Sequence, residues 1–107
     1  MNESEFNQKI DDLLINIEDA IEASELDIDF ETVAGILTLE FTNGSKVIIK
    51  RQVAISQLWV AAKSGGFHLS WVNDQWVVST TKEVLPALLD RVCSEQYGEA
   101  VRLQSSF

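Results

Sequence analysis

The chain has one cysteine, one proline and five glycines in 107 residues. A lone cysteine, Cys93, excludes an internal disulfide and fits a reducing compartment. The only histidine is His68, so no Cys/His set has metal-ligand spacing. The few glycines form no phosphate-cradling loop. No run approaches 18 apolar residues, so no segment reads as a membrane span. The opening MNESEF is polar and acidic, unlike a secretory or organelle-targeting peptide. Bases are scarce as well: 8 Lys and Arg face 17 Asp and Glu, giving a net charge of −9 and a pI of about 4.4. That excludes general binding to nucleic acid or to an anionic membrane, both of which need a basic surface. Cations or a basic protein face remain as partners.

What is present is a core. A hydrophobic content of 46% is too high for a disordered acidic tail. The length suits one domain, 1–107, of a bacterial-type cytoplasmic protein. Phe6, Ile10, Leu13, Leu14, Ile17 and Ile21 recur at three- and four-residue steps. This spacing predicts a helix with one apolar stripe, N-capped by Ser4 and ending near Ser24. From Asp27 the period becomes two: Ile28 and Phe30 alternate with Asp27, Asp29 and Glu31, a short strand with an acidic outer face. Ala34-Gly35 turns the chain.

The segments ILTLEFT and SKVIIKR flank Asn43-Gly44, a hairpin signal. A three-residue loop, Thr42-Asn43-Gly44, pairs Leu39 with Val47, Leu37 with Ile49 and Glu40 with Lys46. It is preferred over a two-residue loop because it separates apolar from charged side chains. ISQLWVAAK reads as the next strand, with Leu58 and Val60 inward and Gln57 and Trp59 outward. Gly65-Gly66 turns into FHLSWV, and Asn73-Asp74 into QWVVS. A last helix starts near Glu83, accepts Pro86 in its first turn, buries Leu85, Leu88, Leu89 and Val92, and ends at Gly98. The fold class is α+β: a two-layer sandwich, with two helices on one face of a roughly six-stranded antiparallel sheet.

The charge is unevenly spread. Ten acids and no base lie between Ile10 and Ser45. On a helical wheel Asp11, Glu18, Glu22 and Glu25 share a flank with Ile15, and Asp12 and Asp19 sit further round. The acidic strand follows directly. As a charge run alone this is a solvated helix face. The missing bases favour a function, because ordinary faces mix signs to gain i, i+4 pairs. Exposed carboxylate oxygens suit hard cations and iron, held weakly and with little selectivity. They also suit a basic protein partner. Cys93 falls near the last helix's stripe and reads as core, and His68 reads as a surface histidine. Trp59 is either an exposed interface anchor or a strand tryptophan shielded by neighbours. Nothing demands an enzyme.

The set N-G-S-K, R-Q, Q-x-W and G-G-F-H, within LTLEFTNGSKVIIKRQVAISQLWVAAKSGGFHL, resembles bacterial frataxin, the CyaY family. The resemblance spans nearly the whole chain and implies the same helix–sheet–helix sandwich, of order α-β-β-β-β-β-β-α. It implies a role in iron–sulfur cluster assembly, as an iron chaperone or iron-dependent regulator, with iron oxidation, an activity ascribed to some frataxins, as the less favoured alternative. The implied metal ridge is Glu18, Asp19, Glu22, Glu25, Asp27, Asp29 and Glu31, with Asp11 contributing. It would bind Fe2+ or Fe3+ weakly and reversibly, with other divalent or trivalent cations as surrogates.

By the same resemblance, Glu18, Asp19 and Glu22 would also dock on a cysteine desulfurase. A sheet surface with Arg51, Gln57 and Trp59 would meet the assembly machinery, including the scaffold protein. The metal-free form is expected to be a monomer, with iron-driven oligomers left open. Three features depart from the family's pattern: Lys50 where Asn is usual, Ala54 where proline is usual, and a connection between first helix and first strand shorter by about two residues.

Overall fold

A computed structural model of the chain describes residues 1–103. The last four residues of the expected domain 1–107 lie outside the described residues. Helix α1 (Glu3–Ser24) is followed by strands β1 (Ile28–Val33), β2 (Ile36–Phe41), β3 (Lys46–Gln52), β4 (Gln57–Ala62), β5 (Gly65–Val72) and β6 (Gln75–Val78), then helix α2 (Leu85–Tyr97). The strands form one antiparallel meander in the order β1-β2-β3-β4-β5-β6. This is the expected two-layer sandwich. Among the described residues no helix is long and apolar enough to cross a membrane.

Period 3.6 in the helices and period 2 in the strands converge on one core. From α1 come Phe6, Ile10, Leu13, Leu14, Ile17, Ala20 and Ile21; from α2, Leu85, Leu88, Leu89, Val92 and Cys93; from the strands, residues such as Leu37, Leu39, Val47, Ile49, Leu58, Val60 and Leu69. The β2–β3 register is the expected one, with Leu37 opposite Ile49, Leu39 opposite Val47 and Glu40 opposite Lys46. Gly44 takes the left-handed conformation that the three-residue loop requires (φ +85°).

Four local expectations are corrected. The α1 cap is Asn2 rather than Ser4: Asn2 Oδ1 accepts from Glu5 N–H at 2.8 Å, as Asn caps do. The β4–β5 reversal is made by Lys63-Ser64, and Gly65-Gly66 begin β5, because Ala62 pairs with Gly65. Residues Val53–Ile55 form a 3-10 turn, so β4 starts at Gln57, not at Ile55. Helix α2 starts at Leu85 rather than Glu83. Glu83 O accepts from Val78 N–H and Val84 bridges Val77, so this stretch stays extended and covers the edge of β6.

Cys93 is fully buried, as expected. Burial, aided by the neighbouring Asp90 carboxylate, pushes its thiol from about 9 up to about 12. The folded chain should therefore react with a thiol reagent at pH 8 only as fast as it opens. The raised value favours the fold below the thiol's ordinary pKa, and that contribution is lost as pH rises from about 9 toward about 12. Rapid stoichiometric labelling of native protein would contradict this burial.

Candidate functional site

The acidic surface is built on the C-terminal half of α1 and on the edge strand β1. Asp19 and Glu22 are exposed on the outside of α1, Glu25 is its exposed C-cap, and Asp27 lies in the short connection to β1. Ile28 and Phe30 turn toward the helices, so Asp29 and Glu31 emerge on the opposite, open face of the sheet. The ridge therefore wraps around the β1 edge. On the open face Asp29 stands opposite Glu40, and Glu31 opposite Thr38. These four residues and Phe30 line a depression of about 430 Å³. Glu40 thus joins the acidic surface, in addition to its expected pairing with Lys46. The β1–β2 register carries the missing signal.

Two facts mark this surface as costly to the fold. The last turn of α1 contains no base, and its acids sit at the negative end of the helix dipole, where cations are favoured. Glu25 occupies a left-handed conformation (φ +59°) that glycine or asparagine would adopt more cheaply. None of Glu18, Asp19, Glu22, Glu25, Asp27, Asp29 or Glu31 has a Lys or Arg within salt-bridge distance among the described residues. In the same set, no three His, Cys, Asp or Glu side chains converge to ligate one ion. The donors are all carboxylate oxygens, spread along an edge. They fit hard cations as exchangeable cargo and do not form a closed resident site.

Two ridge members have protein partners. Glu18 Oε2 accepts a hydrogen bond from Thr32 Oγ1, tying α1 to β1. Asp11 pairs with Arg51, and Arg51 Nη1 also donates to Asn7 Oδ1 at 2.9 Å. Asp11 is thus the carboxylate of α1 that is already neutralised.

The same contact corrects the placement of Arg51. Val47, Ile49 and Arg51 share the helix-facing side of β3, and Arg51 stands opposite buried Leu58. Its side chain braces α1, whereas Gln57 and Trp59 point to the open face. There Trp59 lies between Lys50 and His68. The indole packs on the His68 ring with centroids 4.4 Å apart, tilted by 54°. Gln57 Nε2 donates to Ser70 Oγ, and the neighbouring Gln52 Oε1 is buried without a hydrogen-bond partner. Trp59 is half-buried, so it combines both sequence readings: shielded by neighbours on one side and open on the other.

The contacts separate two substitutions that charge alone would equate. Asp19→Lys relieves repulsion with Glu22 and should raise the melting temperature by about 2 °C. Glu18→Lys gains similar relief but loses the Thr32 bond, so no rise is expected. Thermal unfolding of both metal-free variants checks this, and an equal rise in both would contradict a stabilising Glu18–Thr32 bond.

Residues 1–99 match the family model described as a frataxin-like domain. A Pseudomonas aeruginosa protein named iron-sulfur cluster assembly protein CyaY is 47% identical over 103 residues, covering 94% of this chain and 95% of its own length. A protein of that name from Vibrio atlanticus is 43% identical over 101 residues, covering 94% and 97%. Among solved structures, frataxin from Psychromonas ingrahamii superposes with a TM-score of 0.90 at 35% identity, over 98% of this chain and 100% of that one. Together with the shared sandwich, these matches show that the chain belongs to the frataxin-like family, as a protein of iron–sulfur cluster assembly.

Proposed function

We propose that this protein is an iron-binding regulator or iron chaperone of iron–sulfur cluster assembly. The ridge of Glu18, Asp19, Glu22, Glu25, Asp27, Asp29 and Glu31 takes Fe2+ or Fe3+ weakly, and the same ridge docks on a cysteine desulfurase carrying its scaffold protein. One observation carries this reading: seven neighbouring carboxylates have no Lys or Arg partner among the described residues, and two of them, Glu22 and Glu25, sit where the α1 dipole opposes them. A surface that costs stability and is not neutralised by internal bases among the described residues is suited to an external cation or basic face. Asp11, held by Arg51, stands at the margin of this ridge. Glu40 extends it onto the open face.

The protein acts as an assembly factor and not as an enzyme. Its only cysteine is buried and its only histidine packs on Trp59. Its site of action is the cytoplasm.

A titration of labelled protein with Fe2+, or with Co2+ as surrogate, followed by NMR tests the metal reading. Signals of Asp19, Glu22, Asp29 and Glu31 should broaden first, and Asp11 less. Undisturbed ridge signals alongside changes elsewhere would overturn it.

Among the described residues no ligand set converges, which favours one alternative, an electrostatic docking module whose metal binding is incidental. It predicts desulfurase binding that a chelator leaves unchanged.

A further inference from the structure

The open sheet face holds an arrangement that the acidic ridge does not explain. Trp59 stands directly opposite His68, and Ala61 opposite Gly66. Gly66 is therefore the diagonal neighbour of Trp59 on β5, on the same face. A Cβ placed on Gly66 would lie 2.3 Å from Trp59 Cη2, 2.7 Å from Cζ2 and 3.2 Å from Cζ3. The six-membered ring of the indole thus lies on the bare Cα of Gly66. The clashing atoms belong to a rigid ring, so no terminal rotation relieves them. The other side of the seat is His68, with centroids 4.4 Å away. An aromatic side chain covering a cross-strand glycine is a known way of fixing strand register and ring position.

We propose that Gly66 is a positioning residue for Trp59: by having no side chain it lets the indole lie across β5 against His68, which fixes the ring in one orientation for contact with a protein partner. The proposal rests on the reading of the open face as a docking surface for the assembly machinery. Fixing a large side chain before contact lowers the entropy lost on binding. A tryptophan held in this way is suited to act as an anchor. Gly66 has no positive φ, so alanine is compatible with its backbone, and only the seat is disturbed.

The test uses Gly66→Ala, Trp59→Ala and the double variant. Binding to the desulfurase–scaffold complex and the His68 ring-proton resonances are measured for each. Gly66→Ala should shift the His68 resonances in the direction that Trp59→Ala does. It should weaken binding by about tenfold. In the Trp59→Ala background it should weaken binding no further, since residues that act through one another are non-additive.

Unmoved His68 resonances in Gly66→Ala, or losses that add fully, would overturn the proposal. A merely structural role for Gly66 would give that additive result. If Trp59→Ala binds like wild type while reversal of Asp19 and Glu22 abolishes binding, the open-face reading fails and takes Gly66's role with it, and the ridge reading survives.

Discussion

Replacing Gln96 with leucine is expected to lower the melting temperature by about 10 °C or more. Gln96 is the one polar side chain that the core encloses among the described residues, at 5% exposure. Its Oε1 accepts from Lys63 N–H at 2.9 Å, and its Nε2 donates to Ser45 Oγ at 3.0 Å and to Lys46 O at 3.1 Å. Its backbone carbonyl also accepts from Asn43 Nδ2. One residue of α2 therefore fastens the turns of two hairpins. Leucine keeps the volume and the helix but leaves three groups without these bonds. An unmet buried polar group costs about 1–3 kcal/mol. Partial rescue by water brings the total to about 2–4 kcal/mol. For a domain of this size each kcal/mol moves the midpoint by about 4–8 °C. Thermal and urea unfolding check this. A midpoint within 2 °C of wild type would mean that these bonds contribute no net stability.

Reversing the ridge is expected to act on binding instead. Asp19→Lys with Glu22→Lys adds two charges at each site and moves the net charge from −9 to −5. Neither side chain has an ion-pair partner among the described residues, so the variant should remain folded. Its affinity for the desulfurase should fall by about tenfold or more at low salt. The deficit should shrink with added salt, because the screening length drops from about 10 Å at 0.1 M to about 3 Å at 1 M. Titration calorimetry at two ionic strengths reads both effects. An unchanged affinity at low salt would remove the ridge from the docking surface.

The chain's periodicity makes most of the fold legible. Both apolar helix stripes, the six strands and the β2–β3 register follow from spacing, because one-sided burial leaves a strand only one acceptable face. The turn at Gly65-Gly66 misreads for an identifiable reason. Glycine signals a turn when it supplies φ freedom, but Gly66 is required by the Trp59 ring on the next strand, a cross-strand contact. The 3-10 turn at Val53–Ile55 is masked by β-branched residues that resemble a strand start.

At the site, the acidic ridge is legible because charge runs are local. Arg51 is not: one position of alternation moves it from the open face to a brace on Asn7 and Asp11, 44 and 40 residues away. Glu40 enters the site only through its pairing with Asp29. Glu18 differs from its neighbours only through Thr32. Long-range partners of this kind leave no trace in local pattern.

The most direct test of the account is cluster formation on the scaffold by the matching desulfurase, followed across iron concentrations with and without this protein. It is repeated with Glu18, Asp19 and Glu22 changed to Lys. The account predicts that the wild-type chain changes the rate in an iron-dependent way and that the reversed chain does not. Equal action by both would contradict it, and would return the acidic row to a solvated helix face.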